Sequence, residues 1–345
     1  MNFLSKATTR RGFVRGIAAG GVGIAAASRL GTSNATAQTE LSVIGPKNGK
    51  YAKYVRPLVF QDPGSGPMRP VSKMDGAALG GETTIEFGTF VYGGKIGKEP
   101  YGAHVHDYDQ VLYFMGGDCS EMGELNAEIE LCLGEEKEKL LINSTTTVFI
   151  PKGLPHFPAT IRKMDKRFYY MEISLARENR EKPVAGGPEP ATPVAGMASK
   201  YRSHLVRPAF IRKAPGGLDP TNRDDSGGAL AGISNPKDFA TLIMCESVTK
   251  APYRFPNPAY HTHTQPEYLY FHGGDPNDPT KLGGEVELYI GGKGDAERYI
   301  FNVPSVWIVP AGVPHCPLII TRVDKPFIMT DVRPFGSGDA APKKA

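Results

Sequence analysis

Six of the eight histidines in this chain occur in two copies of one spacing. In each copy, two histidines separated by one residue are followed, much later in the chain, by a third. The members are His104, His106 and His156 in the first copy and His261, His263 and His315 in the second. A lone histidine is more often a structural polar residue, but imidazoles repeated in this way are typical ligands of a transition metal. The spacing therefore predicts a metal site in the second copy and a related one in the first.

The second copy also supplies a carboxylate. Because residues i and i+2 of a strand face the same side, His261 and His263 are expected to direct both rings to one point. Glu267 follows a turn and begins the next strand, and His315 follows a bend that contains Pro and Gly. Three imidazoles and one carboxylate suit Mn, Fe, Co, Ni, Cu or Zn better than Mg or Ca, and they leave coordination positions open for a substrate.

The first copy differs at one position, where Gln110 corresponds to Glu267. A neutral amide is a weaker ligand and leaves the charge of a divalent metal uncompensated. Asp109 precedes Gln110, but strand alternation directs its side chain to the other face. We therefore predict that Gln110 and the three histidines of the first copy form a second metal site. The alternative is a half that has kept only a structural role.

The histidines lie within a longer internal repeat. Residues 104–118 align with residues 261–275 without a gap, and residues 150–158 align with residues 309–317 after a gain of two residues. Duplication of an ancestral domain explains this agreement better than chance.

The repeat also predicts the domain boundaries. The segment between the two copies is rich in Pro, Ala and Gly and has little apolar periodicity, as linkers do. The predicted parts are an N-terminal domain at 38–176, a linker at 177–200, a C-terminal domain at 201–335 and a tail at 336–345.

The composition favours a β protein. The chain has 41 Gly and 30 Pro, both of which interrupt helices. Its apolar runs, such as VLYFM, YLYF and VWIVP, are short and rich in β-branched and aromatic residues, which is a strand pattern. We predict an all-β fold in which each half is a barrel or a sandwich.

The first residues resemble an export signal. Arg10 and Arg11 lie in a segment, 9–15, that is similar to the twin-arginine consensus, and a weakly apolar stretch and a small-x-small sequence follow. We predict a twin-arginine signal peptide at 1–37, cleaved after Ala37, and a periplasmic or secreted protein that uses the twin-arginine export machinery. A disordered basic tail or an uncleaved anchor is the alternative.

The charge gives no indication of nucleic-acid binding. The chain has 40 Lys and Arg against 36 Asp and Glu, but five of these basic residues and no acid lie within residues 1–37. The rest of the chain is therefore close to neutral.

Two motifs carry a family resemblance. The pattern His-x-His-x3-Glu-x5-Gly at 261–273, followed by Pro-x-Gly-x2-His at 310–315, resembles the paired motifs of the cupin superfamily. Two copies make the chain similar to the bicupins, which include oxalate decarboxylases, quercetin dioxygenases and seed storage globulins. The resemblance implies two cupin-type β-barrels (double-stranded β-helix, or jelly roll) from an internal duplication. It is a poor guide to the reaction, because cupins catalyse many.

One feature expected of a particular group is missing. Oxalate decarboxylases carry an arginine just before the histidine pair, to hold the substrate carboxylate. Neither 99–103 nor 257–260 contains one, which argues against oxalate chemistry.

The leading functional hypothesis is an exported, metal-dependent oxidoreductase of the dioxygenase kind that acts on a small chelating organic substrate. The alternatives are a Mn- or Fe-dependent decarboxylase or other lyase, and a metal-binding or small-molecule-binding protein without turnover. The expected cofactor is a divalent transition metal, most favourably Fe or Mn, at one or two per chain. The protein is expected to be a monomer or a homo-oligomer.

The C-terminal site is predicted to carry the activity. Its carboxylate, Glu267, lowers the net charge of the centre and is the predicted catalytic residue, either as a ligand or as a base beside an open position.

Overall fold

The regular secondary structure of the described residues is almost entirely antiparallel β-strand, as the sequence predicts. In the computed structural model, residues 42–97, 102–185, 199–212, 230–234, 241–254 and 260–334 are described. They belong to one compact unit, residues 41–345. The predicted signal peptide lies outside the described residues.

The first half contains thirteen strands. They are β1 (Val43–Ile44), β2 (Val55–Pro57), β3 (Met68–Met74), β4 (Thr84–Phe90), β5 (Gly94–Ile96), β6 (His104–Val105), β7 (Gln110–Gly116), β8 (Ala127–Leu133), β9 (Glu138–Ile142), β10 (Thr146–Ile150), β11 (His156–Met164), β12 (Phe168–Ser174) and β13 (Lys182–Pro183).

The second half repeats this order with eleven strands among its described residues. They are β14 (Leu205–Val206), β15 (Ala209–Arg212), β16 (Leu230–Ser234), β17 (Leu242–Val248), β18 (Tyr253–Arg254), β19 (Glu267–Gly273), β20 (Gly284–Ile290), β21 (Glu297–Phe301), β22 (Ser305–Val309), β23 (His315–Val323) and β24 (Phe327–Arg333).

Helices are short in the described residues. One α-helix, α1 (Gly76–Leu79), and two 3₁₀ turns, Ala52–Tyr54 and Arg202–His204, lie between strands. None of the described helices is long and apolar enough to cross a membrane.

Each half is a barrel of two facing sheets. In the first half the strand orders are β14-β10-β7-β12-β4-β3 and β13-β6-β11-β8-β9, with β5 also on β11. In the second half they are β15-β16-β17-β24-β19-β22-β2 and β1-β21-β20-β23-β18. The predicted all-β pair of barrels is therefore confirmed.

The barrels exchange strands. β1 and β2, from the start of the described chain, pair with β21 and β22 of the C-terminal barrel, while β14 pairs with β10 of the N-terminal barrel. The predicted boundaries, 38–176 and 201–335, do not include this exchange. Its physical reason is that each added strand satisfies the backbone groups of a strand that would otherwise be a sheet edge.

The predicted linker is partly structured. Strand β13 lies within it and pairs with β6 in the N-terminal barrel. Residues 186–198 of the linker lie outside the described residues.

The central strands are buried on both faces. All seven residues of β19 are buried. Leu269 and Phe271 pack in the core of the C-terminal barrel, whereas Tyr268 and Tyr270 belong to an apolar cluster shared with the N-terminal barrel. The sequence of such a strand is continuously apolar because one face packs in the core of its own barrel and the other face packs against the other barrel.

The shared cluster also contains polar contacts. The hydroxyl of Tyr169 in the N-terminal barrel donates a hydrogen bond of 2.7 Å to the carbonyl of Gly273. His272 is fully buried there, with its ring centroid 4.3 Å from Phe87 and 4.7 Å from Tyr169. A titratable ring therefore lies inside the contact between the two barrels.

We expect His272→Met to make the protein less sensitive to acid. Burial lowers the pKa of His272 from 6.5 to about 4, so the unfolded chain takes up a proton that the folded protein does not. The stability is complete above the unfolded pKa and falls by up to ~1.4 kcal/mol per pH unit as the pH drops through that window. Methionine does not titrate and is already the matching residue, Met115, in the first half.

Urea unfolding at about pH 7.5 and about pH 5 measures the effect. The parent protein should lose ~2 kcal/mol more than the variant between these conditions. Equal losses would show that His272 takes up its proton in the folded state.

Candidate metal centres

The C-terminal triad gathers where two strands begin. His315 is the first residue of β23, and its backbone exchanges hydrogen bonds of 3.0 and 3.1 Å with that of His261. The ring centroid of His261 lies 4.8 Å from that of His263 and 4.1 Å from that of His315. The centroids of His263 and His315 are 4.9 Å apart. One donor nitrogen of each ring lies within 4.8 Å of the others.

The N-terminal triad has the same arrangement. The ring centroid of His104 lies 5.0 Å from that of His106 and 4.3 Å from that of His156, and the remaining pair is 4.9 Å apart. His104 pairs with His156 across β6 and β11. The structure therefore brings together the three histidines of each predicted site.

A glycine bend positions the third histidine in each half. Gly153 and Gly312 have φ angles of 80° and 75°, a left-handed conformation that favours glycine. Their backbone N–H groups donate to the carbonyls of His106 and His263 at 2.9 and 2.8 Å. In each half, this hydrogen bond ties the bend to the histidine pair, and so holds the third histidine, which follows the bend, close to that pair.

The donor atoms fit a bound metal. Nδ1 of His106 lies 3.0 Å from the carbonyl oxygen of Arg180, and Nδ1 of His156 lies 3.0 Å from that of Leu154. Since a carbonyl only accepts, Nδ1 carries the hydrogen and Nε2 carries the lone pair. Both Nε2 atoms are buried and have no hydrogen-bond partner among the described residues, which is the state of a ligand nitrogen.

Burial keeps these rings neutral. It lowers the pKa of His106 and lowers that of His156 well below the usual value. In the C-terminal centre, burial and then the neighbouring imidazoles lower the pKa of His261 to about 4. Neutral imidazole is the form that binds metal, so the two triads supply donor sets for one or two divalent metal ions per chain, as the sequence predicts.

Glu267 completes the C-terminal centre. It is 3% exposed, and its Oε2 lies 3.2 Å from Nε2 of His315 and 3.5 Å from Nε2 of His263. Nδ1 of His315 lies 3.0 Å from the carbonyl of Val313, which leaves Nε2 directed at the carboxylate of Glu267. A cation between them stabilises this arrangement.

Arg333 balances the charge of Glu267. Its Nη2 lies 2.7 Å from Oε1 of Glu267 and 3.0 Å from Oδ2 of Asp331. Burial raises the pKa of Glu267, but its close contacts with the two histidines and the charge of Arg333 outweigh this and hold the pKa well below its usual range. Burial and the charge of Glu267 raise the pKa of Asp331 well above its usual value, although Arg333 also contacts its carboxyl group.

The corresponding pair in the N-terminal half is neutral. Gln110 is 1% exposed, and its Nε2 donates to Oγ of Ser174 at 3.2 Å. Ser174 ends β12 where Arg333 ends β24, and it pairs with Gln110 across the sheet. Oε1 of Gln110 has no hydrogen-bond partner among the described residues. Its lone pairs therefore remain available to a metal ion.

The two centres therefore differ by two linked residues. A carboxylate with a guanidinium in one half replaces an amide with a hydroxyl in the other. Arg333 offsets the charge of Glu267. The lower net charge of the C-terminal centre therefore cannot be the whole reason for expecting this centre to carry the activity. Sequence analysis missed Arg333 and Ser174. Extending the alignment of the closing segments, 164–168 and 323–327, would have paired them.

Asp109 and Tyr108, which precede Gln110 in the chain, have hydrogen-bond partners other than the three histidines. Oδ1 of Asp109 accepts a hydrogen bond of 2.7 Å from the backbone N–H of Lys152, away from the triad. Tyr108 donates to Asn179 at 2.5 Å and accepts from the backbone N–H of Arg180 at 2.8 Å. The start of the predicted linker is thus part of the wall behind His106, a role that its composition did not indicate.

A cavity of about 550 Å³ borders the N-terminal centre. His104 lies in its wall with Phe157 and Tyr170. Residues 255–259, which precede the C-terminal triad in the chain, lie outside the described residues.

Comparison with known proteins identifies the architecture. No family model matches the chain, and no curated protein does. Among solved structures, oxalate decarboxylase from Bacillus subtilis at pH 4.6 has a TM-score of 0.53 and 10% identity, over 82% of this chain and 75% of that one. A tryptophan-to-phenylalanine mutant and a deletion mutant of that enzyme each give 0.53 and 10%, over 82% and 76%. The fold is that of a bicupin.

The bicupin fold explains the congruent triads, because each barrel is one copy of the duplicated unit. At this level of identity the likeness concerns the fold alone. The residues that distinguish one bicupin from another must be interpreted from the chemistry of this chain.

We expect Arg333→Ser to destabilise the metal-free protein by about 3–5 kcal/mol, because it leaves the carboxylate of Glu267 buried without its countercharge. The double variant Glu267→Gln/Arg333→Ser copies the N-terminal pair and should recover most of this loss. Urea unfolding of metal-free protein gives the coupling between the two positions.

Arg322→Ser is the matched control. Arg322 lies 3.3 Å from Asp324 at the surface, and its loss should cost less than about 1 kcal/mol. A double variant as unstable as Arg333→Ser would mean that Arg333 contributes through packing rather than charge.

Proposed function

We propose that this protein is a metal-dependent bicupin enzyme that removes a carboxyl group from a small organic acid. The observation that carries the proposal is the C-terminal centre, where three imidazoles and Glu267 converge on one point and Arg333 lies behind them. The fold shared with oxalate decarboxylases supports decarboxylation over oxygenation.

The four side chains would hold a divalent transition metal. Such a metal would supply Lewis-acid chemistry for the carboxylate of a substrate. The protein's part is to fix the geometry. Arg333 holds Oε1 of Glu267, so only Oε2 faces the imidazoles. The low pKa of Glu267 favours the role of ligand over that of general base, the two roles that its sequence position left open.

A second guanidinium favours an acidic substrate. Arg254 is exposed on β18, which pairs with β23. It pairs with Ile319 of β23, the strand that begins at His315. A positive potential near the centre raises the local concentration of an anionic substrate.

The dioxygenase hypothesis is the second candidate, and the cavity beside His104 favours it. About 550 Å³ is far more room than a small diacid needs, and its wall is largely apolar. An aromatic or enolic substrate beside the N-terminal centre would suit this space.

Gas exchange separates the two reactions. Metal-loaded protein is incubated with small mono- and dicarboxylic acids and with hydroxylated aromatic compounds, while CO2 and O2 are followed. Our proposal predicts CO2 release from an acid without matching O2 consumption. O2 uptake in proportion to product would favour the dioxygenase, and bound metal with neither gas change would favour a binding protein.

Substitution of single ligands tests which centre acts. His261→Ala should remove about one metal per chain and lower turnover at least about 100-fold, since it opens the proposed catalytic centre. His104→Ala should remove the other metal and reduce turnover less. Elemental analysis beside the activity assay measures both, and the reverse order of effects would assign catalysis to the N-terminal centre.

We also propose that the protein is exported through the twin-arginine route to the periplasm or the medium. The paired arginines and the apolar stretch that follows support this. Arg10→Lys/Arg11→Lys should keep the protein in the cytoplasmic fraction, and cell fractionation measures this. Normal export of the variant would refute the assignment.

A further inference from the structure

The residue that follows the third histidine faces the interior of its barrel in both halves. Phe157 follows His156, and Cys316 follows His315. Both have positive φ angles, 68° and 76°, which residues other than glycine rarely adopt. The pairing register shifts at each of these points, so strand alternation is interrupted and two successive side chains point inward. Phe157 and Cys316 accordingly belong to the apolar cores of their own barrels.

In the N-terminal half this residue is an aromatic ring that stacks on a predicted metal ligand. The ring centroid of Phe157 lies 5.2 Å from that of His104, and the two planes are 20° apart. Phe157 is 5% exposed, and a Cβ added at Gly97 would lie 3.6 Å from its ring. A buried ring packed in this way has little freedom, so it limits the rotation of the imidazole beside it. Nδ1 of His104 also lies 3.4 Å from the carbonyl oxygen of Gly102.

The matching ligand of the C-terminal half lacks both of these supports. Cys316 has no ring to place on His261, whose ring contacts among the described residues are those with His263 and His315. Nδ1 of His261 is buried and has no hydrogen-bond partner in the described part of the chain. A ligating histidine normally donates its second N–H to a carbonyl or a carboxylate, which fixes the orientation of its ring. The ring of His261 is therefore less restrained than that of His104.

We propose that Phe157 is a positioning residue for the N-terminal metal centre, and that Cys316 leaves the first ligand of the C-terminal centre mobile. A ring already held in its ligating orientation loses less conformational freedom when a metal binds. A mobile ligand can instead turn aside and open a coordination position, which a catalytic metal needs. The proposal rests on metal binding at both centres but not on the reaction, so its test measures a metal ion alone.

Substitution of Phe157 tests the hold on His104. Each chain also carries His261→Ala, which leaves the N-terminal triad intact, and Co²⁺ affinity is measured against a chromophoric competitor. Phe157→Leu should weaken Co²⁺ binding about 3- to 10-fold, the size of an aromatic contact. Phe157→Tyr keeps the planar ring and should retain the affinity. Unchanged binding in Phe157→Leu, or an equal loss in Phe157→Tyr, would overturn the assignment.

Phe90→Leu is the matched control. Phe90 is 1% exposed and lines the same cavity as Phe157, but its ring contacts are with Phe168 and Tyr170, at 5.1 and 5.5 Å. The same change of residue should therefore leave Co²⁺ binding unchanged. A loss as large as that of Phe157→Leu would show that loosening of the barrel, and not the contact with His104, lowers the affinity.

The C-terminal centre gives the reverse comparison. In chains that carry His104→Ala, Cys316→Phe should tighten Co²⁺ binding by a similar factor, because it supplies the ring that His261 lacks. Side-chain NMR relaxation in the metal-free parent protein needs no substitution and should give a lower order parameter for the ring of His261 than for that of His104. Unchanged or weaker binding in Cys316→Phe, or equal order in the two rings, would contradict a mobile ligand.

Discussion

Each barrel gathers three imidazole rings around one point, and two of the three rings in each barrel are buried. Buried polar nitrogens without partners are unfavourable, so each ring must have a use for both nitrogens. Backbone carbonyls occupy Nδ1 of His106, His156 and His315. The remaining nitrogens face one another at a spacing that a single cation can satisfy.

The two centres solve the problem of a fourth donor in different ways. In the C-terminal half a carboxylate is buried together with a guanidinium, which also contacts Asp331. In the N-terminal half an amide is buried with a hydroxyl. Neither pair leaves an uncompensated charge in the barrel. A buried Glu267 requires the positive charge of Arg333, whereas the neutral Gln110 needs only the hydroxyl of Ser174. The halves thus share ligand geometry and differ in electrostatics.

Packing of one barrel on the other makes the pair a single compact unit. Strand β19 buries one face in its own barrel and the other against the N-terminal barrel. The exchanged strands β2 and β14 then cover strands that would otherwise end a sheet. Because the beginning of the predicted linker packs behind His106, the connection between the barrels also becomes part of a metal centre.

The sequence alone determined the all-β fold, the duplication and the six histidines. These follow from local patterns: strand periodicity places His261 and His263 on one face, and a Pro-Gly bend delivers His315. Tertiary structure decided what no local pattern contains. Arg333 is distant from Glu267 in the chain and meets it only because β24 pairs with β19. The strand exchange and the place of His272 between the barrels likewise arise from long-range pairing. Spacing along the chain predicts which residues share a strand face, whereas the partners that set their charge and burial come from other strands.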